Sequence, residues 1–384
     1  MQKAFAGLLV VDFTTTIAGP YCTRLLADLG AEVIKIEAPE GDMMRTRPPL
    51  RNGASSYYGQ LNAGKKSIVL DLKRRQAVGA ARRLAGGADI LVENYRPGVM
   101  RRLGLDYGVL GKANPRLIYC SISGYGQTGP SCDLPAYAPV IHATSGYDLA
   151  HLLYQRGRTR PDFCGIYIAD VLAATYAFAA IASALHQRHA TGQGQHIDVS
   201  MLESMLSLTL SEMQAAQFEV PPPPDRPIFG PIATLDGYIN LSVASERTFQ
   251  GMARAAERTD WINDPRFERY LQRRANWGQL MDEFEAWSKQ RASADCLQVL
   301  HRHAVPAGAY RTVREAMADP QLAHRSAFSE VRDAGGAFKA LNPPFRMSAS
   351  AGAAGAKCAA LGEHTREVLA AAGFSADEIE ALAG

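Results

Sequence analysis

Leu8-Leu-Val-Val-Asp-Phe13 is a short apolar run fit for a buried strand. Thr14–Gly19 is polar and contains glycine, and Pro20 opens a helical pattern that ends near Gly30. Glu32-Val-Ile-Lys-Ile-Glu37 then reads as a second strand, so the N-terminal stretch is a βαβ unit. Runs that are apolar without alternation suit strands covered on both faces. The pattern recurs. Ser67–Asp71, Asp89–Glu93, Leu117–Ser121 and His196–Ser200 read as further strands, separated by helical stretches such as Arg74–Ala85. This alternation predicts the α/β class, with a Rossmann-like large domain built on a mostly parallel sheet.

At 384 residues the chain exceeds one ordinary core, and two domains are expected. The composition breaks at Pro221, Pro222, Pro223 and Pro224, a stiff extended linker. The expected division is therefore a large domain over 1–219, a Pro-rich linker over 220–228, a small α+β domain over 229–330 and a return to the large domain over 331–384. Within these, Met201–Phe218 reads as one long helix, Gly237–Val243 as a strand, Leu341–Ser348 as a strand, and Gly362–Ala383 as two short helices.

A net charge of +3 is too small to argue for nucleic acid or a membrane surface, though it permits a local basic pocket. The six cysteines are scattered with no CxxC pair, which suits free thiols in a cytoplasmic protein. The first residues, Met1–Leu9, lack the pattern of a signal peptide. Gly124-Tyr-Gly-Gln-Thr-Gly129 fits GxGxxG, but Pro130 and Pro135 follow where a dinucleotide site requires a helix, so it reads as a loop. His301 and His303, two apart on a helical pattern, face different sides and suggest no metal. Lys65 and Lys66 precede a strand, Lys73 follows it, and Arg96, Arg101 and Arg102 follow another. Either these are solvated charges or they converge on a polyanion, with Tyr95 offering an aromatic plane for a base.

The longest uncharged stretch lies in Gly165–Leu185, where Asp170 precedes fifteen residues, Val171–Leu185, without a charge. That run is shorter than the roughly 20 residues that span a bilayer, so it reads as a buried helix. Asp170 would sit at its mouth, either as a plain N-cap or as a fixed, ionised nucleophile held by free backbone N–H groups. His142, within Val140–Ala143, reads as a core or wall histidine.

Several motifs occur in order and resemble class III CoA-transferases, the family of formyl-CoA transferase and carnitine CoA-transferase, with acyl-CoA racemases as relatives. They are Val11-Asp-Phe-Thr-Thr-Thr-Ile-Ala-Gly-Pro20, Leu29-Gly-Ala-Glu-Val-Ile-Lys-Ile-Glu37, Asn62-Ala-Gly-Lys-Lys-Ser-Ile68, Val92-Glu-Asn-Tyr-Arg-Pro-Gly98, Gly124–Pro130, Thr191–Ser200 and Leu361-Gly-Glu-His-Thr365. The resemblance implies that Asp170 is the catalytic aspartate, which passes through a mixed anhydride and an aspartyl-CoA thioester. It implies CoA contacts at Thr15, Thr16, Ile17, Ala18, Asn94, Tyr95, Arg102 and Tyr137. Ala38 and Ser123 stand where formyl-CoA transferase has basic residues, so phosphate contacts are expected to shift to Lys65, Lys66 or Arg45. Phe229-Gly230-Pro231 replaces the glycine-rich loop, so a different acceptor pocket is expected.

It also implies acyl-CoA as substrate with no permanently bound cofactor or metal, and an interlocked homodimer. Arg156, Arg158 and Arg160 suggest a dicarboxylic substrate of the succinyl, mesaconyl or itaconyl type. A 2-methylacyl-CoA racemase is the alternative, but its histidine position is Tyr137 here, a poor base with a pKa near 10. A non-catalytic acyl-CoA binder would leave Asp170 a mere cap.

Overall fold

The computed structural model describes residues 2–155, 157–218 and 229–383. The Pro-rich linker expected over 220–228 and Arg156 lie outside the described residues.

The chain divides into two compact units. The larger takes Met1–Leu153, Gly157–Met213 and Gln321–Gly384, and the smaller takes Gln214–Pro320 together with Tyr154–Arg156. The smaller unit thus ends before the 330 expected from the sequence.

The larger unit is built on six parallel strands: β1 (Leu9–Asp12), β2 (Glu32–Glu37), β3 (Lys66–Val69), β4 (Ile90–Glu93), β5 (Ile118–Ser123) and β6 (His196–Ser200). Their spatial order is β3-β2-β1-β4-β5-β6. Register pairs Val10 with Val33 and Ile90, and Val11 with Ile34 and Leu91. Because side chains alternate across a strand, each such row faces one side. Val10, Val33, Ile90, Ile118 and Cys120 face Cys22 and Leu26 of helix α1 (Ala18–Asp28) and the alanine stripe of the long helix α3 (Ile168–Thr191). Val11, Ile34, Ile68, Leu91 and Tyr119 face Ala77, Ala81 and Leu84 of the helix Arg75–Gly86, with Val368 and Leu369. The sheet is covered on both faces, which is why its strands read as unbroken apolar runs.

Ala169, Ala173, Ala174, Ala177 and Ile181 of α3 are fully buried. Small side chains let α3 lie close to the sheet and to α1. At 24 residues α3 is long and apolar enough to cross a membrane by length and composition. It outruns the uncharged stretch because it continues through His186, Arg188 and His189.

The C-terminal segment covers the edge of the sheet. His364 Nδ1 and Thr365 Oγ1 accept the N–H groups of Ser67 and Val69 on β3, at 3.3 and 3.1 Å. A free strand edge is an aggregation liability, and these side chains occupy it.

Three local expectations need correction. Met201–Phe218 is two short helices, Met201–Leu206 and Leu210–Ala215. Between them Thr209 Oγ1 bonds back to the Leu206 carbonyl instead of continuing the helix. The strand expected at Leu341–Ser348 is instead Gly336–Leu341, paired antiparallel with Phe328–Asp333. Pro343 and Pro344 follow at once and cannot donate to a ladder. Asp170 is not the N-cap of α3. Tyr167 holds that position and Asp170 lies in the first turn.

The smaller unit has a three-stranded antiparallel sheet of Ile232–Ala233, Tyr238–Leu241 and Ala307–Ala309. Helices Glu246–Ala255, Trp277–Ser288 and Ser293–Arg302 pack Phe249, Phe284 and Leu300 into its core.

Candidate active site

In a sheet of order 3-2-1-4-5-6 the chain leaves in opposite directions from β1 and β4, which opens a crevice at their carboxyl ends. Thr15, just after β1, and Asn94, just after β4, close that crevice. The Thr15 N–H donates to Asn94 Oδ1 at 2.8 Å, and Asn94 Nδ2 donates to the Thr15 carbonyl at 2.9 Å. Beyond them lies a cavity of about 230 Å³ lined by Thr15, Thr16, Ala18, Asn94, Tyr95, Arg96, Ser123, Tyr137 and Asp170, among others.

The loop after β1 is braced from below. Asp12 accepts the Thr14 N–H at 2.8 Å, the Thr23 hydroxyl at 2.6 Å and the Lys65 ammonium at 3.0 Å. Burial alone would raise the Asp12 carboxyl, but Lys65, Lys35 and the two threonine hydroxyls pull it down to about 2. Lys35 Nζ donates to the Thr14 carbonyl at 2.6 Å and pairs with Asp42 at 3.1 Å. Asp42 in turn accepts the Thr16 N–H at 3.3 Å. Thr16 has φ 72°, a left-handed conformation that a β-branched residue adopts only when its surroundings hold it there.

Asp170 stands where two helices begin. Ala18 is the first residue of α1, and Asp170 is in the first turn of α3. Burial pushes the Asp170 carboxyl up to about 6, while the backbone N–H groups of Ala18 and of Asp170 itself oppose the rise. Free N–H groups and the positive ends of two helix dipoles therefore hold this carboxylate as an anion near neutrality. Tyr167 makes no side-chain cap. His142 supplies part of that function, for its Nε2 accepts the Ala169 N–H at 3.2 Å. Burial lowers the His142 pKa, so the ring stays neutral. An Nε2 occupied in this way does not serve as the proton-moving base of a racemase.

Of the residues expected to contact CoA, Thr15, Thr16, Ala18, Asn94, Tyr95 and Tyr137 line this cavity with Asp170. The remaining candidates go elsewhere. Ile17 is buried against Met44, Tyr58 and Leu61. Lys65 is buried in the Asp12 network, where burial pushes its ammonium down to about 8. Lys66 sits at the amino end of β3, opposite the crevice, and pairs with Glu32 and Glu367 at 2.8 Å each. Arg102 is exposed on the helix Val99–Leu103 and does not line the cavity, whereas Arg96 does. Arg45 is committed to Glu37 at 2.7 Å. Arg158 pairs with Asp162 at 3.0 Å on the surface.

Two residues outside the expected contact set belong near the site. Lys73 follows β3 at its carboxyl end and lines a second cavity of about 230 Å³ with Ile36, Ala38, Leu70 and Leu103. Tyr95 forms a wall of both cavities. The available signal was position: Lys73 follows its strand, whereas Lys65 and Lys66 precede it. Tyr57 is the other, its phenol pushed up to about 12 by burial and by Tyr167 and Asp170. Nothing in its local sequence marked it.

Residues 5–365 match the model of CoA-transferase family III. The chain is 37% identical over 330 residues to acetyl-CoA:oxalate CoA-transferase of Acetobacter aceti, covering 84% of each chain. It is 34% identical to succinyl-CoA--D-citramalate CoA-transferase of Chloroflexus aurantiacus, covering 94% of this chain and 91% of that one. A crystal structure of a CaiB/BaiF family protein from Brucella suis superposes with a TM-score of 0.85 at 31% identity, over 97% of this chain and all of that one. The chain belongs to CoA-transferase family III and is an enzyme that transfers CoA.

Proposed function

We propose that the enzyme moves CoA from an acyl-CoA thioester to a free carboxylic acid by covalent catalysis on Asp170. The observation that carries this is the Asp170 carboxylate set between two helix starts inside the cavity at the sheet crevice. A carboxylate oxygen attacks the thioester carbonyl carbon. The C–S bond breaks, leaving a mixed anhydride and CoA thiolate. The thiolate attacks the Asp170 side-chain carbonyl and expels the donor acid as its carboxylate, which leaves an aspartyl-CoA thioester. The acceptor carboxylate then reverses both steps and regenerates Asp170. One thioester replaces another, so no external energy source enters. The anionic nucleophile requires neither a base nor a metal, and the N–H groups of Ala18 and Asp170 offset the negative charge that builds on the Asp170 carboxyl oxygen when the thiolate adds to its carbonyl.

The acyl-CoA would run from Asp170 past Tyr95, whose ring walls both cavities, with Lys73 and Arg96 as cations for its phosphates. A small dicarboxylic acid is the proposed acceptor class, supported by the relatives named for oxalate and D-citramalate. A homodimer, interlocked as in the family, is proposed with it. It is supported by apolar side chains left exposed on and near α3, among them Val171, Tyr176, Phe163 and Ile166. Large exposed apolar side chains gathered into a patch mark interaction surfaces.

Hydroxylamine added during turnover should convert Asp170 to its hydroxamate, read by mass spectrometry of the digest. An unmodified peptide containing position 170, together with undiminished exchange by Asp170→Asn, would overturn the mechanism. Sedimentation at micromolar concentration tests the dimer.

A further inference from the structure

Ser123 closes β5 at the crevice and lines the same cavity as Asp170. It is 7% exposed, and its Oγ finds no hydrogen-bond partner among the described residues. A buried hydroxyl without a partner is costly, so native proteins rarely keep one unless something else satisfies it. Its neighbours are committed. The Asn94 side-chain amide is used in both directions by Thr15. Ser121, two residues earlier on the same face, bonds His196 Nε2 at 3.0 Å. Ser123 is thus a lining residue of the cavity whose buried Oγ has unused donor and acceptor capacity.

We propose that Ser123 Oγ hydrogen-bonds the amide of the pantetheine arm nearest the thiol, which makes it a positioning residue for the thioester. This rests on the reading of the cavity as the acyl-CoA site. The choice of group comes from the chemistry of the ligand. The reacting sulfur must lie at Asp170, and two carbons separate that sulfur from its nearest amide nitrogen. In a cavity of about 230 Å³ holding both Asp170 and Ser123, that amide is the first polar group the arm presents. A neutral, buried hydroxyl suits a neutral amide. The phosphates require the cations at Arg96 and Lys73 instead.

Removing the hydroxyl should separate stability from binding. Ser123→Ala deletes a buried, unsatisfied oxygen from the free enzyme, so Tm should hold or rise. The same change deletes a bond to the ligand, so KM for acyl-CoA should rise about five- to tenfold, more than kcat falls. KM for the free carboxylic acid should not change with it. An S-acyl-N-acetylcysteamine donor keeps only the thiol-proximal amide, and with it the Ser123→Ala penalty should persist. The proposal is overturned if Ser123→Ala leaves acyl-CoA binding unchanged, if the penalty falls on the acid, or if it disappears with the truncated donor. Calorimetric binding of CoA to Asp170→Asn with and without Ser123→Ala repeats the comparison without turnover, so failure of the Asp170 mechanism remains distinguishable from failure of this assignment.

Discussion

His142 Nε2 accepts the backbone N–H of Ala169 at 3.2 Å, one residue before Asp170. A side chain from the helix α2 (Ala138–Thr144) thereby completes the first turn of α3. Replacing it with phenylalanine leaves that N–H buried and unpaired, which costs about 1–3 kcal/mol. His142→Phe should lower Tm and reduce kcat/KM about tenfold, with His142→Gln recovering part of both. The same residue sets a pH dependence. Its folded pKa lies below the ordinary 6.5, so the folded state binds fewer protons than the unfolded chain. Stability from this group is present above pH 6.5 and falls as the pH drops below it. The His142→Phe variant should lack that portion of the acid loss.

Asp170 carries the opposite sign. Its folded pKa, about 6, lies above the ordinary 3.8. The fold therefore loses stability as the pH rises from about 4 through about 6, while the reactive carboxylate appears over the same range. The kcat/KM profile for acyl-CoA should fall on the acid side with a pKa near 6. Asp170→Asn should raise Tm at pH 8 and lose that advantage near pH 4, with exchange reduced roughly a thousandfold or more.

Thr16 and Asp42 should behave as a unit. Asp42 accepts the Thr16 N–H and so holds a strained φ of 72° two residues before Ala18. Left-handed backbone in a β-branched residue costs about 1–3 kcal/mol, and glycine avoids that cost. Asp42→Ala should lower kcat/KM about tenfold. Thr16→Gly in that background should restore activity without restoring Tm, because the buried Lys35 still lacks its ion pair with Asp42. Losses that simply multiply in the double variant would show the two to be independent.

The lysines should separate by role. Lys65→Met strands the buried Asp12 carboxylate, at about 3–5 kcal/mol, and should appear as a stability defect. Lys73→Ala should instead raise KM for acyl-CoA, with a salt-dependent effect, and leave Tm near the wild-type value. Titration of Tm and KM for both variants distinguishes the roles.

The α/β class, the six strands of a mostly parallel sheet and the long apolar helix that carries Asp170 were legible in the residues themselves. Periodicity and apolar runs are local properties, and β1 and β2 declare themselves in Leu8–Phe13 and Glu32–Glu37. The family motifs likewise named the loop residues Thr15, Thr16, Ala18, Asn94 and Tyr95 that the fold brings to one cavity. Which cations lie at the crevice end of the sheet was a matter of tertiary structure. Lys65, Lys66 and Lys73 are close in sequence, yet the direction of β3 sends Lys66 to the far end of the sheet and Lys73 to the crevice. Burial turned Lys65 into a partner for Asp12. Only packing could place the His142 ring against the Ala169 amide, or the start of α1 against Asp170. Those contacts join residues far apart in the chain, and no local pattern encodes the distance between two helix ends.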